Sequence, residues 1–571
     1  MPLNPTDIHA AGADAASDRR TFLKQGLLAA GGLALGAHRR SGGTHPASRR
    51  HTRQPPGGRA PNILVIVVDQ LRTPAWMPAA ASTAALMPNL ASLRAGAVSF
   101  ERHYTASNDC SPSRGALVTG LYSHQTGCLI TGNSRLDPGF PTWGTLLREL
   151  DYSTWWWGKW HLNPNPDTSL EQYGFSGGTY PSPNGSPGQG TAVDPEIAAQ
   201  FIEWLAAEGA NQPWCATVSF VNPHDIAWWY RFTERILAES SPPALADALP
   251  PNFETPEALE AQRKPQLQRS LQDTSARSFG EVPFTGAEAI TAFTGLMNTY
   301  LMLQNYVDAQ IGAVLSALAA QPAVQANTVV VFTSDHGEYG GSHGMRGKGA
   351  SAYEEAIRVP LYVRDHRGLA TAAPALGRTQ LTSSVDVVPL LLTLATGSSR
   401  WRAEARYRHL AHRHNLAAIC ANPSAPGRPW VLHATDEDVT EFAVEPYAAS
   451  APRHVVALRT QRGKLALYSN WRASSVTVEP AGQEFELYDY STSGGQLELA
   501  NTAGAAGALE EELWVTLEEQ ALPGDLRAPL PPALRAAQRR GLANYVDVEE
   551  FETYKAYTAH VREAETAPTP D

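Results

Sequence analysis

The sequence predicts an α/β protein: a large, mixed but mostly parallel β-sheet flanked by helices, followed by a smaller C-terminal α+β subdomain containing an antiparallel sheet. Three observations carry that expectation. Unbroken apolar runs at residues 63–68 (ILVIVV) and 329–332 (VVVF) stop abruptly at polar groups, the pattern of parallel strands buried on both faces. Leu303, Val307, Ile311, Val314 and Leu318 repeat at helical spacing just before the second run, so a helix feeds a strand as in a doubly wound sheet. Beyond about residue 398 the pattern changes, and HVVALRTQRGKLALYSNW and EFELYDY read as antiparallel strands.

In chain order, residues 1–37 contain SDRRTFLKQGLLAAGGLALGA, where Arg19 and Arg20 precede an apolar stretch of small residues. That order reads as a twin-arginine-type export signal, with Asp18 where Ser or Thr is usual, and it predicts a periplasmic or secreted protein. The stretch is too short and Gly-rich to span a bilayer comfortably, and nothing in the body reads as a membrane span, so no stable membrane insertion is expected. Residues 38–60, basic and rich in Gly, Pro and Ser, read as a flexible linker. The main domain is expected over 61–397, the subdomain over 398–555 and a tail over 556–571.

Within the main domain the first strand ends at Asp69 and Gln70, and the run at 329–332 leads through Ser334 to Asp335 and His336 and then a Gly-rich loop. STWWWGKWHL and WCATVSFVNPHD carry Lys159, His161 and His224 just past apolar segments. KGASAYEEAIRVPLYV places Lys348 ahead of a further strand, and SSVDVVPLLLTLAT reads as a helix. Ligands of open α/β sheets gather beyond the carboxyl ends of the strands, so acid, amide, imidazole and ammonium groups there describe a site better than a core. The Trp155, Trp156, Trp157 and Trp160 cluster reads as packing. Glu338, His343 and Arg346 read as solvated loop residues, and Asp225 as either an orienting partner of His224 or a cap. Residues 228–290, with scattered helical stretches, read as an insertion near the site mouth, and 176–192 as a Gly/Pro loop.

The chain has 45 Lys or Arg against 56 Asp or Glu, and nine of the former but three of the latter lie in the first 60 residues. The remaining body therefore has a formal charge of −17, which argues against nucleic acid as a general partner. Cys110, Cys128, Cys215 and Cys420 are widely spaced, with no CxxC pair, and do not make a disulfide framework. Cys110 stands in a polar turn directly before an expected helix start. As a thiol there it reads either as a nucleophile activated by the helix end or as a small capping residue.

The stretch from Cys110 to Arg114 (CSPSR), followed by GALVTG at 115–120, resembles the signature of the formylglycine-dependent, type I sulfatases. Further matches run from 61 to 500: the Asp69 strand end, GKWH at 158–161, NPH at 222–224, SDHGE at 334–338, the Lys348 to Glu354 segment and ELYD at 486–489. The resemblance implies an alkaline phosphatase-like fold and conversion of Cys110 to an aldehyde by a formylglycine-generating enzyme guided by Pro112 and Arg114. Pro112 also suits a first helical turn, whose unpaired N–H groups favour an anion.

The same resemblance implies one divalent metal ion held by Asp69, Gln70, Asp335 and His336 with the modified Cys110, calcium foremost and manganese or magnesium as alternatives. Gln70 stands where a second acid is commoner, and the imidazole of His336 is less typical of calcium than of manganese or zinc. These two choices resemble phosphonate monoester and phosphodiester hydrolases and some alkyl sulfatases. Leu121 and Asn163 also depart from the usual pattern without removing a catalytic group.

The implied mechanism follows. The metal and Arg114 polarise the aldehyde hydrate, one hydroxyl of which attacks sulfur. Lys159 and Lys348 neutralise the sulfate oxygens, and His224 protonates the leaving alcohol. His161 then takes the proton of the second hydroxyl, so that sulfate leaves and the aldehyde returns. The expected function is hydrolysis of a sulfate monoester of a small molecule or carbohydrate, as in an arylsulfatase. A phosphonate monoester or phosphodiester hydrolase is the alternative, and a non-catalytic sulfate- or glycan-binding protein ranks below both.

Overall fold

The computed structural model describes residues 59–546 apart from 74–75, 132–133, 164–168, 212, 238–239, 442, 444 and 473–477. The export-type segment, all but the end of the linker, and the tail lie outside the described residues. Those described belong to one compact unit, residues 54–571.

Eight strands form the first sheet: β1 (Asn62–Val68), β2 (Val98–Tyr104), β3 (Ser153–Gly158), β4 (Ser176–Gly177), β5 (Trp214–Phe220), β6 (Thr328–Ser334), β7 (Arg358–Asp365) and β8 (Thr382–Ser383). Their order is β4-β3-β5-β1-β6-β7-β2-β8. Strands β4, β3, β5, β1 and β6 run parallel, β7 is antiparallel to both β6 and β2, and β8 is parallel to β2. The mixed, mostly parallel sheet expected from the sequence is therefore present.

The central strands are apolar throughout because both faces are covered. Leu64, Ile66 and Val68 join a core with Phe201 of the helix Gln189–Glu208 and with Leu303, Val307, Ile311, Val314 and Leu318 of the helix Gly286–Ala319. Ile63, Val65 and Val67 join a second core with Trp156, Trp160 and the helix Val387–Thr396. Burying a large aliphatic side chain contributes about 1.5–3 kcal/mol, so these two cores fix which face each helix covers.

Register aligns the strand ends. Val68 pairs with Phe220 on one side and Ser334 on the other, and Gly158 pairs with Ser219. The residues that follow β3, β5, β1 and β6 consequently emerge side by side at one edge of the sheet.

The second sheet has four antiparallel strands, β9 (Trp430–Asp436), β10 (His454–Thr460), β11 (Gly463–Trp471) and β12 (Val478–Asp489), in the order β12-β11-β10-β9. Leu432, Ala434, Leu458 and Leu465 pack in one apolar cluster with Ala106, Ala116 and Tyr122 of the main domain. That cluster ties the second sheet to the segment around Cys110.

Strands β2 and β9 are absent from the sequence reading. Three charged or ionisable residues in a row, Glu101, Arg102 and His103, break the alternation of β2, and the pair Gly427-Arg428 with Pro429 beside Trp430 obscures the start of β9. Residues 228–290 contain the helices Thr233–Leu237, Pro256–Ala261 and Gln266–Phe279, and the 176–192 loop supplies β4 and enters the helix from Gln189. Among the described residues no helix is long and apolar enough to cross a membrane.

Candidate active site

The helix Cys110–Thr119 starts at the cysteine, and its motif residues each tie down a neighbour. Ser111 Oγ donates to the carbonyl of His161 at 2.7 Å, and Ser113 Oγ donates to the carbonyl of Asp335 at 2.6 Å. Arg114 bridges two carboxylates, with Nη2 3.0 Å from Asp69 Oδ2 and Nε 2.8 Å from Asp335 Oδ2, and it also donates to the carbonyl of Lys159 at 2.6 Å. The CSPSR stretch is thus a bracket that sets three strand ends around one sulfur.

Cys110, expected in a polar turn, is wholly buried, because β9 and the segment after it cover the turn. Burial, with Asp69 and Glu441 beside it, pushes its thiol well above the ordinary value. Burial and these two carboxylates thus disfavour a thiolate activated by the helix end alone.

Sγ of Cys110 lies 3.2 Å from His336 Nε2, 3.5 Å from Lys159 Nζ and 3.9 Å from both oxygens of Asp69. Lys159 Nζ is 2.7 Å from Asp69 Oδ2. On the other side Lys348 Nζ donates to Gln70 Oε1 at 2.9 Å and lies 3.0 Å from His224 Nε2. Burial acts to raise the pKa of Asp69, but Lys159, His224 and Arg114 hold its carboxyl well below the usual range. Burial acts to lower Lys348, yet Cys110, Glu441 and Asp109 keep it well above the usual ammonium value.

Ligand atoms of Asp69, Cys110, Asp335 and His336 all lie within 4.8 Å of one another. Their chemistry suits a cation. The Nδ1 of His336 sits 3.1 Å from the Gly337 carbonyl, while its Nε2 faces Cys110 Sγ at 3.2 Å and Asp69 Oδ1 at 3.5 Å. One imidazole nitrogen and two carboxylates converging beside the residue-110 side chain are the donors a divalent cation takes. Gln70 adjoins this group, its backbone N–H donating to Asp335 Oδ1 at 3.1 Å. Its backbone has φ 64°, its Nε2 donates to Glu338 Oε2 at 2.5 Å, and its Oε1 accepts from Lys348.

His161 and His224 approach the same pocket. Burial followed by the Lys159 charge lowers His161 to about 3 and His224 to about 4. Both imidazoles are neutral at pH 7, which suits His161 to accept a proton and leaves His224 dependent on an anionic ester to hold one. Neither ring nitrogen of His161 has a hydrogen-bond partner among the described residues. Asp225 is a cap: its two oxygens accept from the backbone N–H groups of Gly190 and Thr191, each at 3.1 Å, at the start of the helix from Gln189.

Three residues read as solvated are buried. Glu338 supports Gln70 and accepts from the N–H groups of Gly340 and Gly347, because the Gly-rich loop folds back on itself. His343 Nδ1 lies 2.6 Å from Glu254 Oε2, and its ring stacks on Tyr353. Arg346 donates to the carbonyls of Trp229 and Gly280. The segment 228–290 covers this loop, and that long-range packing is what the local sequence conceals. The tryptophan cluster is packing, with Trp156 between Trp143 at 5.7 Å and Trp160 at 4.9 Å between ring centroids.

Glu441 is the site residue that sequence reasoning missed. Its Oε2 lies 2.8 Å from Lys348 Nζ, 3.0 Å from His224 Nε2 and 3.6 Å from Cys110 Sγ. It arrives from the segment after β9, where no motif marks it. The only signal was the acidic run Asp436, Glu437 and Asp438 just before it.

The family model described as Sulfatase matches residues 61–398. The uncharacterized sulfatase YidJ of Escherichia coli (strain K12) is 29% identical over 336 residues, 54% of this chain and 62% of that protein. The choline-sulfatase of Rhizobium meliloti (strain 1021) is 27% identical over 377 residues, 59% of this chain and 67% of that protein. The match thus spans under two thirds of the first of these relatives. Among solved structures, a 2-O GAG sulfatase shares 22% identity with a TM-score of 0.59 over 86% of this chain and 94% of that one. A phosphonate monoester hydrolase from Silicibacter pomeroyi shares 21% identity with a TM-score of 0.59 over 82% and 96%. At these identities the two structures establish the fold.

Proposed function

Because the chain belongs to the sulfatase family, we propose that it hydrolyses sulfate monoesters at the pocket around Cys110. The observation that carries this reading is the convergence of Asp69, Arg114, Lys159, Asp335, His336 and Lys348 on one buried cysteine. A water-excluded pocket with two ammonium groups beside a nucleophile position suits a tetrahedral anion. The Cys110 thiol stands in for the formylglycine hydrate that a formylglycine-generating enzyme would install.

Asp69, Asp335 and His336, with the converted Cys110, would hold a divalent ion, and Gln70 Oε1, which has a second lone pair beside the one facing Lys348, would join them. One imidazole nitrogen among oxygen donors leaves calcium, manganese and magnesium all admissible. When bound, the ion supplies positive charge to the nucleophile and the sulfate oxygens. Arg114 keeps both carboxylates aimed at that position. Lys159 and Lys348 neutralise the ester oxygens, His224 gives a proton to the departing alcohol, and His161 removes one from the nucleophile so that sulfate can leave.

The substrate class is a sulfate ester of a small molecule or a carbohydrate; the name of the choline-sulfatase relative supports the first and that of the 2-O GAG sulfatase the second. Gln70 and His336 favour testing an aryl phosphonate beside an aryl sulfate, and a much poorer kcat/KM for the sulfate would overturn the choice of ester. The twin-arginine pattern at Arg19 and Arg20 supports export of the folded, modified enzyme to the periplasm or beyond.

Mass spectrometry of the peptide holding Cys110, from a host with the maturation enzyme, is the direct test. A loss of about 18 Da relative to cysteine is expected. Cys110→Ala should fold normally and lose essentially all turnover, whereas an unmodified thiol in fully active protein refutes the nucleophile.

A further inference from the structure

On the second sheet, through residues that form no hydrogen bond with Cys110 among the described residues, β10 pairs with β9 so that His454 stands directly opposite Asp436. His454 Nδ1 lies 3.0 Å from Asp436 Oδ1. His124, from the short helix Ser123–Thr126 of the main domain, places Nε2 3.4 Å from Asp436 Oδ2. Trp471 Nε1 donates to Asp436 Oδ1 at 2.6 Å and fixes the carboxylate from a third direction. The two imidazoles and the indole crowd together, with centroids 4.9 Å apart for His124 and His454 and 4.0 Å for His454 and Trp471.

This is an N2O donor set. One ligand atom from each of His124, Asp436 and His454 lies within 4.8 Å of the other two. Donors on a shared four-coordinate zinc stand about 3.3 Å apart, given metal–ligand bonds of about 2.0–2.1 Å. The nitrogen–oxygen separations, 3.0 Å to Oδ1 and 3.4 Å to Oδ2 of the one carboxylate, lie close to that value. Among the described residues the ion pairs of Asp436 are with these histidines alone, with no lysine or arginine among them, so its buried charge lacks a permanent counterion. A buried carboxylate in that position calls for a proton on one imidazole or a metal between them.

The group also has an open side. A cavity of about 870 Å³ is lined by His124, His454 and Trp471 together with Trp514, Arg527 and Gln538. Structural zinc sites close all four positions with protein, whereas sites with three protein ligands keep one for an exchangeable molecule. We propose that His124, Asp436 and His454 form a second divalent-metal site, of the zinc class, whose fourth position opens into this cavity. The Trp471 indole is the outer partner that orients the carboxylate, a role common around metal centres. The site is independent of the ester chemistry proposed for the Cys110 pocket.

The test is metal stoichiometry on the full chain. Protein loaded with Zn2+, freed of excess by desalting and measured by mass spectrometry of the metal should carry one ion per chain more in the wild type than in His454→Ala or His124→Gln. Asp335→Asn removes a different ion, so Asp335→Asn with His124→Gln should lose both. Co2+ loaded into Asp335→Asn gives a visible spectrum of the second site alone, and adding His124→Gln should abolish its intense four-coordinate bands. Should circular dichroism show that His454→Ala is unfolded, the part-exposed His124→Gln decides. Equal zinc content in the wild type and a folded His124→Gln, with cobalt spectra unchanged, overturns the proposal.

Discussion

Glu441 occupies with one carboxylate oxygen the space between Lys348 and His224, the groups proposed to hold and protonate an anionic ester. Burial acts to raise its pKa, but Lys348, His224 and Lys159 hold it well below the usual carboxylate range, so it is ionised. A fixed negative charge there competes with the substrate for the same ammonium. Glu441→Gln keeps the shape and removes the charge. Its KM for an aryl sulfate should fall by roughly 3- to 10-fold, a change of about 1 kcal/mol, while kcat moves less. An unchanged or higher KM in steady-state assays shows that the carboxylate does not compete with the ester.

Strand pairing has consequences for acid stability. His433 on β9 donates Nδ1–H toward the Thr105 carbonyl at 3.0 Å, and His103 on β2 lies 3.0 Å from Thr382 Oγ1. Burial lowers each imidazole from 6.5 to about 4. The folded chain therefore keeps both neutral while the unfolded chain takes up protons below about pH 6.5. Stability from these groups is complete above that pH and is lost as acid approaches pH 4, by up to about 3 kcal/mol for each. Urea unfolding at pH 7 and about pH 4.5 measures this, and the wild type should lose more stability on acidification than His433→Gln. Equal losses would remove His433 from the account.

The two sheets and the Cys110 helix share one compact unit, so occupancy of the first metal position bears on the whole molecule. An ion that binds the folded chain alone stabilises it by about 2.7 kcal/mol at a hundredfold excess over its Kd. Removing metal with a chelator should lower Tm and abolish ester hydrolysis, and adding back a divalent ion should restore both. A Tm insensitive to chelator and metal, in protein shown to have lost its ion, counts against the four-residue group around Cys110 as a metal site.

Asp69, Cys110, Lys159, His224, Asp335 and Lys348 could be read from the chain because each follows an apolar run or belongs to a short contiguous motif. Parallel strands in register bring such ends together whatever lies between them, so local sequence was enough to nominate the group and the central sheet. Glu441, the burial of Glu338 and His343, and the meeting of His124, Asp436 and His454 had no such local mark. They depend on how the segment 228–290 covers the Gly-rich loop and how β9 and β10 dock beside the helix Cys110–Thr119. The sequence by itself determined the central parallel strands, the candidate nucleophile and the charges offered to an anion. Only the tertiary structure decided which distant carboxylates and imidazoles share a pocket, because contacts across some 300 residues are set by packing and not by spacing along the chain.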